Sequence, residues 1–211
     1  PLMNLTNGPS GLTYHPGPLS YPGKQGHFLI SDYKGAPERS RIHSFAVTND
    51  GAGMRVTDNY IFNDGVAVTD LEYGYDGKIY VTDFIEGWAT KNQGRVYTLT
   101  RKGTQNNSTI KSVKNLITKN FTKISDTHLV SLLKHPDMRI RLRAQYTLAN
   151  AKKISLLEKS IRANKDNVIA QLHGIWGLGM IARKADPAAT ARLIFHAHQS
   201  HPLELLSLIH I

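Results

Sequence analysis

The sequence predicts a β + α chain in two parts: a partial β-propeller of about two blades, then an α-solenoid of HEAT-like helical repeats. Three observations predict it. Residues 1–100 repeat with strand-type patterning, and residues 121–204 repeat with helical patterning. The charge changes sign between the halves: residues 1–99 carry 8 Lys/Arg against 10 Asp/Glu, while residues 100–211 carry 18 against 6. Such a break points to two bodies with different surfaces. The stretch 101–120 between them opens on a polar run from Arg101 to Ser112 and reads as a linker.

The first repeat has three landmarks. Leu12-Thr13-Tyr14 aligns with Leu71-Glu72-Tyr73. Phe28-Leu29-Ile30-Ser31-Asp32-Tyr33 aligns with Ile79-Tyr80-Val81-Thr82-Asp83-Phe84, apolar residues followed by hydroxyl, Asp and aromatic in both. Arg41-Ile42-His43-Ser44-Phe45 aligns with Arg95-Val96-Tyr97-Thr98-Leu99. The offsets are 59, 51 and 54, so the loops differ in length while the strands correspond. Asn49-Asp50-Gly51 and Tyr75-Asp76-Gly77 read as turns between strands rich in Val, Ile, Tyr, Phe and Thr. A period near fifty with about four strands is that of a propeller blade. Two blades cannot close a ring of roughly four to eight, so further blades are expected upstream. The repeated Asp, at 32 and 83, is expected to cap the turn after its strand.

The second repeat is helical. Leu129, Leu132 and Leu133 form one apolar face, and His135-Pro136-Asp137 breaks it. Ile140, Ala144 and Leu148 mark the next helix, with Asp137 as its N-cap. Ile154, Leu157 and Ile161 begin a second pair, whose second helix is capped by Asp166 or Asn167. Leu142 to Ala149 aligns with Leu172 to Gly179 at an offset of 30, with small residues in matching places that allow close helix packing. Another helix starts after Asp186-Pro187. His201-Pro202 echoes His135-Pro136, and residues 205–211 form an atypical tail. Helix pairs of this kind bury their apolar faces on one another. An array of two and a half pairs with no polar cap reads as part of a longer one.

Several chemistries are excluded. There is no Cys, hence no disulfide, thiolate metal site or C-x-x-C-H haem attachment in this stretch. No apolar run reaches the length of a membrane span. No Gly-rich phosphate loop, nucleophile elbow or zinc signature occurs.

The order of motifs resembles a known family. Thr69-Asp70-Leu71-Glu72-Tyr73-Gly74-Tyr75-Asp76-Gly77-Lys78-Ile79-Tyr80-Val81-Thr82-Asp83-Phe84, then Gly87-Trp88 and Gly94-Arg95-Val96-Tyr97, look like the last blades of a dehydrogenase-type propeller. The family is the membrane-bound or secreted dehydrogenase group common in planctomycetes and related bacteria, whose propeller is similar to the glucose/sorbosone dehydrogenase fold. HEAT-like repeats follow there, often with a cytochrome c domain beyond. His135-Pro136-Asp137-Met138-Arg139-Ile140-Arg141 and Leu172 to Gly179 are similar to that helical part. The resemblance implies a periplasmic or secreted protein, quinoprotein-like, with pyrroloquinoline quinone and calcium serving sugar or alcohol oxidation. It also implies an Arg-x-Arg-Asp run for the quinone. Here Ala67 and Thr69 stand at the two arginine positions, with Asp70 retained. The quinone carboxylates would then lack their bidentate partners. The catalytic His of the family comes from an earlier blade, so this fragment alone is expected to be inactive.

The candidate substrate-binding residues are Asp70, Glu72, Asp83, Glu86 and Trp88. Asp70 and Glu72 alternate along a strand and so share a face, where they could hold calcium or polarise a sugar, or simply be solvated. Asp83, Glu86 and Trp88 combine acids with a ring on one loop, which suits a sugar or a blade contact. Asp32, Tyr33 and Arg41 are the matching set in the other repeat. His196, His198 and His201 lack metal-ligand spacing, since i and i+2 on a helix do not meet. His15 and His43 stand alone. Arg139, Arg141, Arg143, Lys152 and Lys153 form a basic helical face without the aromatic interleaving of a nucleic-acid site. Two functions follow as alternatives: an oxidoreductase-type propeller whose helices dock a cytochrome c domain, or a non-catalytic propeller binding glycans or proteins on a HEAT scaffold. A nucleic-acid-binding array comes third.

Overall fold

The computed structural model describes residues 3–18, 21–51, 53–85, 92–103, 107–164, 166–184 and 186–197. Within them the chain is α+β: two small antiparallel sheets followed by six α-helices. It divides into two compact units, Pro1–Asn115 and Leu116–Ile211.

In the first unit, β1 (Pro9–Tyr14), β2 (Phe28–Asp32), β3 (Arg41–Asp50) and β4 (Gly53–Asp64) form sheet 1 as a meander. Sheet 2 repeats the order with β5 (Val68–Tyr73), β6 (Lys78–Asp83) and β7 (Arg95–Thr100). The aligned landmarks occupy equivalent places. Asp32 pairs with Arg41 in sheet 1, and Asp83 pairs with Arg95 in sheet 2. Both sheets carry the same irregularity: the register shifts between Pro9 and Leu12 on β1 and between Val68 and Asp70 on β5. The two Gly-containing turns form as expected, with Gly51 and Gly77 at positive φ. Gly77 is constrained twice, because a Cβ there would also run into Ile110.

The core of this unit lies between the sheets. Leu29 and Ile42 of sheet 1, with Tyr21, meet Leu71, Tyr73, Ile79 and Val81 of sheet 2. Each fully buried Leu or Ile contributes about 1.5–3 kcal/mol. Ile110 joins the same cluster from α1 (Ser108–Ile117). That helix corrects the reading of 101–120 as a linker. Asn107 caps it, its Oδ1 accepting from the N–H groups of Thr109 and Ile110 at 2.9 and 3.2 Å. Ile110, Val113 and Leu116 recur every three residues and are buried, a stripe hidden among Lys and Asn.

The second unit opens with a 3-10 turn (Phe121–Lys123), then α2 (Asp126–Leu132), α3 (Met138–Asn150), α4 (Ile154–Ala163), α5 (Val168–Ala182) and α6 (Pro187–Ala197). Asp137 caps α3 by accepting from Arg139 N–H at 2.9 Å, and Asn167 caps α5 by accepting from Ala170 N–H at 2.9 Å. These caps lie thirty residues apart, as the helical alignment requires. Packing alternates: α2 lies on α3, α4 on α5, and α5 on α6, while α3 meets α5 and α4 touches both α2 and α6. Close approach of α4 and α5 depends on Gly174 and Gly177, where a Cβ would meet Ile161 at 2.6 Å and Leu157 at 2.7 Å respectively. The tail 205–211 lies outside the described residues. Among the described residues no helix is long and apolar enough to cross a membrane.

Candidate functional site

Asp70 and Glu72 sit on β5 with their side chains on the exposed face of sheet 2, opposite buried Leu71 and Tyr73. Asp70 Oδ1 accepts from the N–H of Leu71 at 2.8 Å. Glu72 Oε1 accepts from Tyr73 N–H at 2.9 Å and from the Thr13 hydroxyl at 3.1 Å. Across the ladder, Thr82 pairs with Asp70 and Tyr80 with Glu72, both exposed. The result is a polar row of two carboxylates beside a phenol ring and a hydroxyl. The remaining carboxylate oxygens can accept from ligand hydroxyls. The Tyr80 hydroxyl donates to Asp76 Oδ2 at 3.0 Å, which holds the phenol pointing along the sheet.

Asp83 belongs elsewhere. Its side chain is buried, with Oδ1 accepting from Ile85 N–H at 2.9 Å and Oδ2 paired to Arg95 at 3.0 Å. It caps the turn after β6. Glu86 and Trp88, the other members of that proposed set, lie outside the described residues. Asp32 is likewise buried: Oδ1 accepts from Gly8 N–H at 2.9 Å, and Lys34 Nζ lies 2.9 Å from Oδ2. Burial alone would raise its pKa, but Lys34, the Gly8 amide and His43 together hold it below the usual carboxylate value. Tyr33 is buried against Phe84, its own repeat equivalent, with ring centroids 5.8 Å apart. Arg41 reaches back to the Arg39 carbonyl at 2.9 Å. The matching set in sheet 1 therefore closes a turn.

The arginines of the basic helical face make contacts within their own unit. Arg139 pairs with buried Asp137 at 2.7 Å. Arg141 donates to the carbonyls of His135 and Pro136 at 2.7 and 2.8 Å and to His173 Nε2 at 3.0 Å. Arg143 donates to the Ile117 carbonyl at 2.7 Å and lies over the Phe121 ring. Lys152 faces Asp186 at 3.7 Å and Lys153 faces Asp126 at 2.9 Å. Lys152 and Lys153 nevertheless keep much of their side chains in solvent. His15 is buried among Tyr21 and Tyr73, and His43 lies 3.5 Å from Asp32. His196 ends in α6, while His198 and His201 lie outside the described residues.

Two arrangements escape sequence reasoning. His27 Nδ1 lies 2.9 Å from Ser44 Oγ, and its Nε2 lies 3.2 Å from Asp58 Oδ2. These are the residue types of a nucleophilic triad. Ser44, however, has no exposed surface, and the exposed end is Asp58, which Lys24 also holds at 2.7 Å. With that hydroxyl buried, the chain of bonds ties the residue just before β2 to β3 and β4. The second is His173, whose Nδ1 lies 2.7 Å from Gln145 Oε1. With Nε2 accepting from Arg141, the ring is neutral, and burial with the adjacent guanidinium lowers its pKa to about 4. Neither arrangement has a sequence signal, because register and helix packing bring the partners together.

The described residues do not fit a quinone cofactor. Ala67 is fully buried and apolar, Thr69 shares its hydroxyl with Thr82 at 2.9 Å, and Arg95 is committed to Asp83. Nor do they fit calcium: no group of three or more His, Asp or Glu among them is placed to hold a metal ion, against the six to eight oxygens calcium takes. Comparison of the chain with protein-family models, curated proteins and solved structures finds no match.

Proposed function

We propose that the chain is a binding scaffold: a propeller-type stack of sheets, followed by a HEAT-type array of helix pairs, with the Asp70–Glu72 row as its recognition surface for a saccharide. The observation that carries this reading is the exposed row itself. Two carboxylates, a tyrosine ring and a threonine hydroxyl lie on the exposed side of sheet 2, where Asp70 and Glu72 also approach Gly11 and Thr13 of sheet 1, while the other candidate acids, Asp32 and Asp83, are held in turns. Carboxylates accept from sugar hydroxyls, and an aromatic ring covers the apolar face of a pyranose.

The architecture is supported by repetition. Sheets 1 and 2 share strand order, register shift and landmark pairs. The helices pack in an alternating pattern that fits stacked pairs. Placement outside the cytoplasm belongs to the same proposal. The oxidoreductase alternative, with the helices docking a cytochrome c domain, draws no support from the residues at 67, 69 and 83.

The test is a titration of the 211-residue chain with neutral mono- and oligosaccharides, followed by amide shifts in nuclear magnetic resonance. Shifts should centre on residues 70–72 and 80–82, and Asp70→Asn with Glu72→Gln should abolish them. A full panel that leaves those amides unmoved would refute the saccharide surface.

A further inference from the structure

Within the helical unit, three cations and one carboxylate meet at a groove between α4 and α6. α4 turns Leu157, Ser160 and Ile161 to the interior, so Ser155, Lys159 and Arg162 fall on its outward side. Glu158 lies at the margin between the two, its side chain only 12% exposed. Arg162, one turn further on, donates to Glu158 Oε1 at 2.6 Å. Arg192 of α6 donates to the same oxygen at 3.3 Å. The groove measures about 480 Å³, and Ser155, Lys159 and Ala163 complete its wall.

Glu158 sets the geometry. One carboxylate oxygen, mostly withdrawn from solvent, holds two guanidinium groups from different helices beside each other. It cannot neutralise both, and Lys159 adds a third cation, so the lining keeps a net charge of +2. Each guanidinium has five N–H donors, and Glu158 takes one from each. The Arg162 and Arg192 side chains are 58% and 52% exposed, so their remaining donors reach the groove. The Phe195 ring, centred 5.7 Å from Arg162 Cζ, limits the swing of that side chain. Arg139 and Arg141 differ, because their donors close onto Asp137, His173 and carbonyls of the same turn.

We propose that this groove binds the phosphate group of a phosphate monoester. Such a group carries close to two negative charges at neutral pH and offsets the charge of the lining. A carboxylate or a sulfate ester carries one and leaves half of it. Three terminal oxygens also suit two guanidinium forks and an ammonium, each of which can take an oxygen of its own. The site lies in the helical unit and does not rest on the saccharide surface of sheet 2.

The experiment titrates the whole chain, at about pH 7.5, with inorganic phosphate, glucose-6-phosphate and glucose-6-sulfate, and follows amide and arginine side-chain resonances. Both phosphates should move residues 158–163 and 190–195. Tighter binding of the sugar ester would identify a sugar phosphate as the source, and equal binding the phosphate group alone. The sulfate ester should bind at least about fivefold more weakly. Arg162→Gln and Arg192→Gln should each weaken phosphate binding by about tenfold. Arg192→Lys, which keeps the charge and loses the fork, should remain weakened by about threefold. Lys111→Gln with Lys114→Gln, on α1, should change nothing. Circular dichroism confirms that each variant is folded. Absence of shifts at those residues with either phosphate overturns the proposal. So does a sulfate ester that binds as tightly as the phosphate ester, or an α1 variant that weakens binding as much as Arg162→Gln, since both would mean attraction to net charge alone. Shifts confined to residues 70–72 and 80–82 with the sugar esters would support the saccharide surface and overturn the groove.

Discussion

Arg141, Gln145 and His173 connect α3 to α5 through one neutral imidazole, and this makes the helical unit sensitive to acid. The folded pKa of His173 is about 4, below its ordinary value of 6.5. Between those values the unfolded chain binds a proton that the folded chain refuses, so stability falls as pH drops from about 6.5 to about 4. The loss approaches about 3 kcal/mol at full size. Denaturant unfolding across that range should show this slope, and His173→Gln should flatten it. His135, also lowered, chiefly by burial, adds to the slope with the same sign. Asp32 acts lower on the scale. Its depressed pKa contributes stability above the ordinary carboxylate value, lost as pH falls through the folded one. Asp83→Asn removes the partner of Arg95 and weakens the turn cap, at a cost of about 2 kcal/mol. Its effect should appear in the unfolding midpoint and leave saccharide-induced amide shifts intact.

At the scale of elements, α5 shows how packing overrides propensity. Replacing a helix-interior glycine with alanine ordinarily stabilises by up to about 1 kcal/mol. Gly179 has only the Arg183 side chain near its added Cβ, at 3.8 Å, so Gly179→Ala should follow that rule. Gly174→Ala should reverse it, because the new methyl meets Ile161 and the Leu157 carbonyl at 2.6 and 3.0 Å. A net loss of about 1–3 kcal/mol is expected there. Thermal melts of the two variants, with Tm moving in opposite directions, check the claim. The strands and both capped helices were legible because their signals are local: alternation, Asp-Gly turns, and Asp137 or Asn167 ahead of an apolar stripe. The helix at 108–117 was not, because three apolar residues among lysines and asparagines look like a loop until the core cluster that takes Ile110 exists.

For the whole molecule, two interiors replace one. The sheet unit closes around Leu29, Ile42, Leu71 and Ile79, and the helical unit around Leu133, Ile140, Leu157 and Leu178. Thermal unfolding should therefore show two transitions. Gly174→Ala should lower one of them, and Asp83→Asn the other. A single transition that both variants shift would refute the separation. The excess of cations behind the net charge of +10 lies in residues 100–211. In the folded chain Arg139, Arg141, Arg143 and Lys153 bind carbonyls, a histidine and carboxylates of their own unit.

The sequence by itself determined that this chain is built from two kinds of repeat, where most strands and helices run, and which residues cap them. Those features depend on neighbours a few residues away, so period and cap chemistry are enough. Only tertiary structure decided which polar residues remain open. Asp70 and Asp83 carry the same carboxylate on adjacent strands, but one faces solvent and the other meets Arg95. That difference is set by which face of a sheet another sheet covers, and a single strand does not encode it.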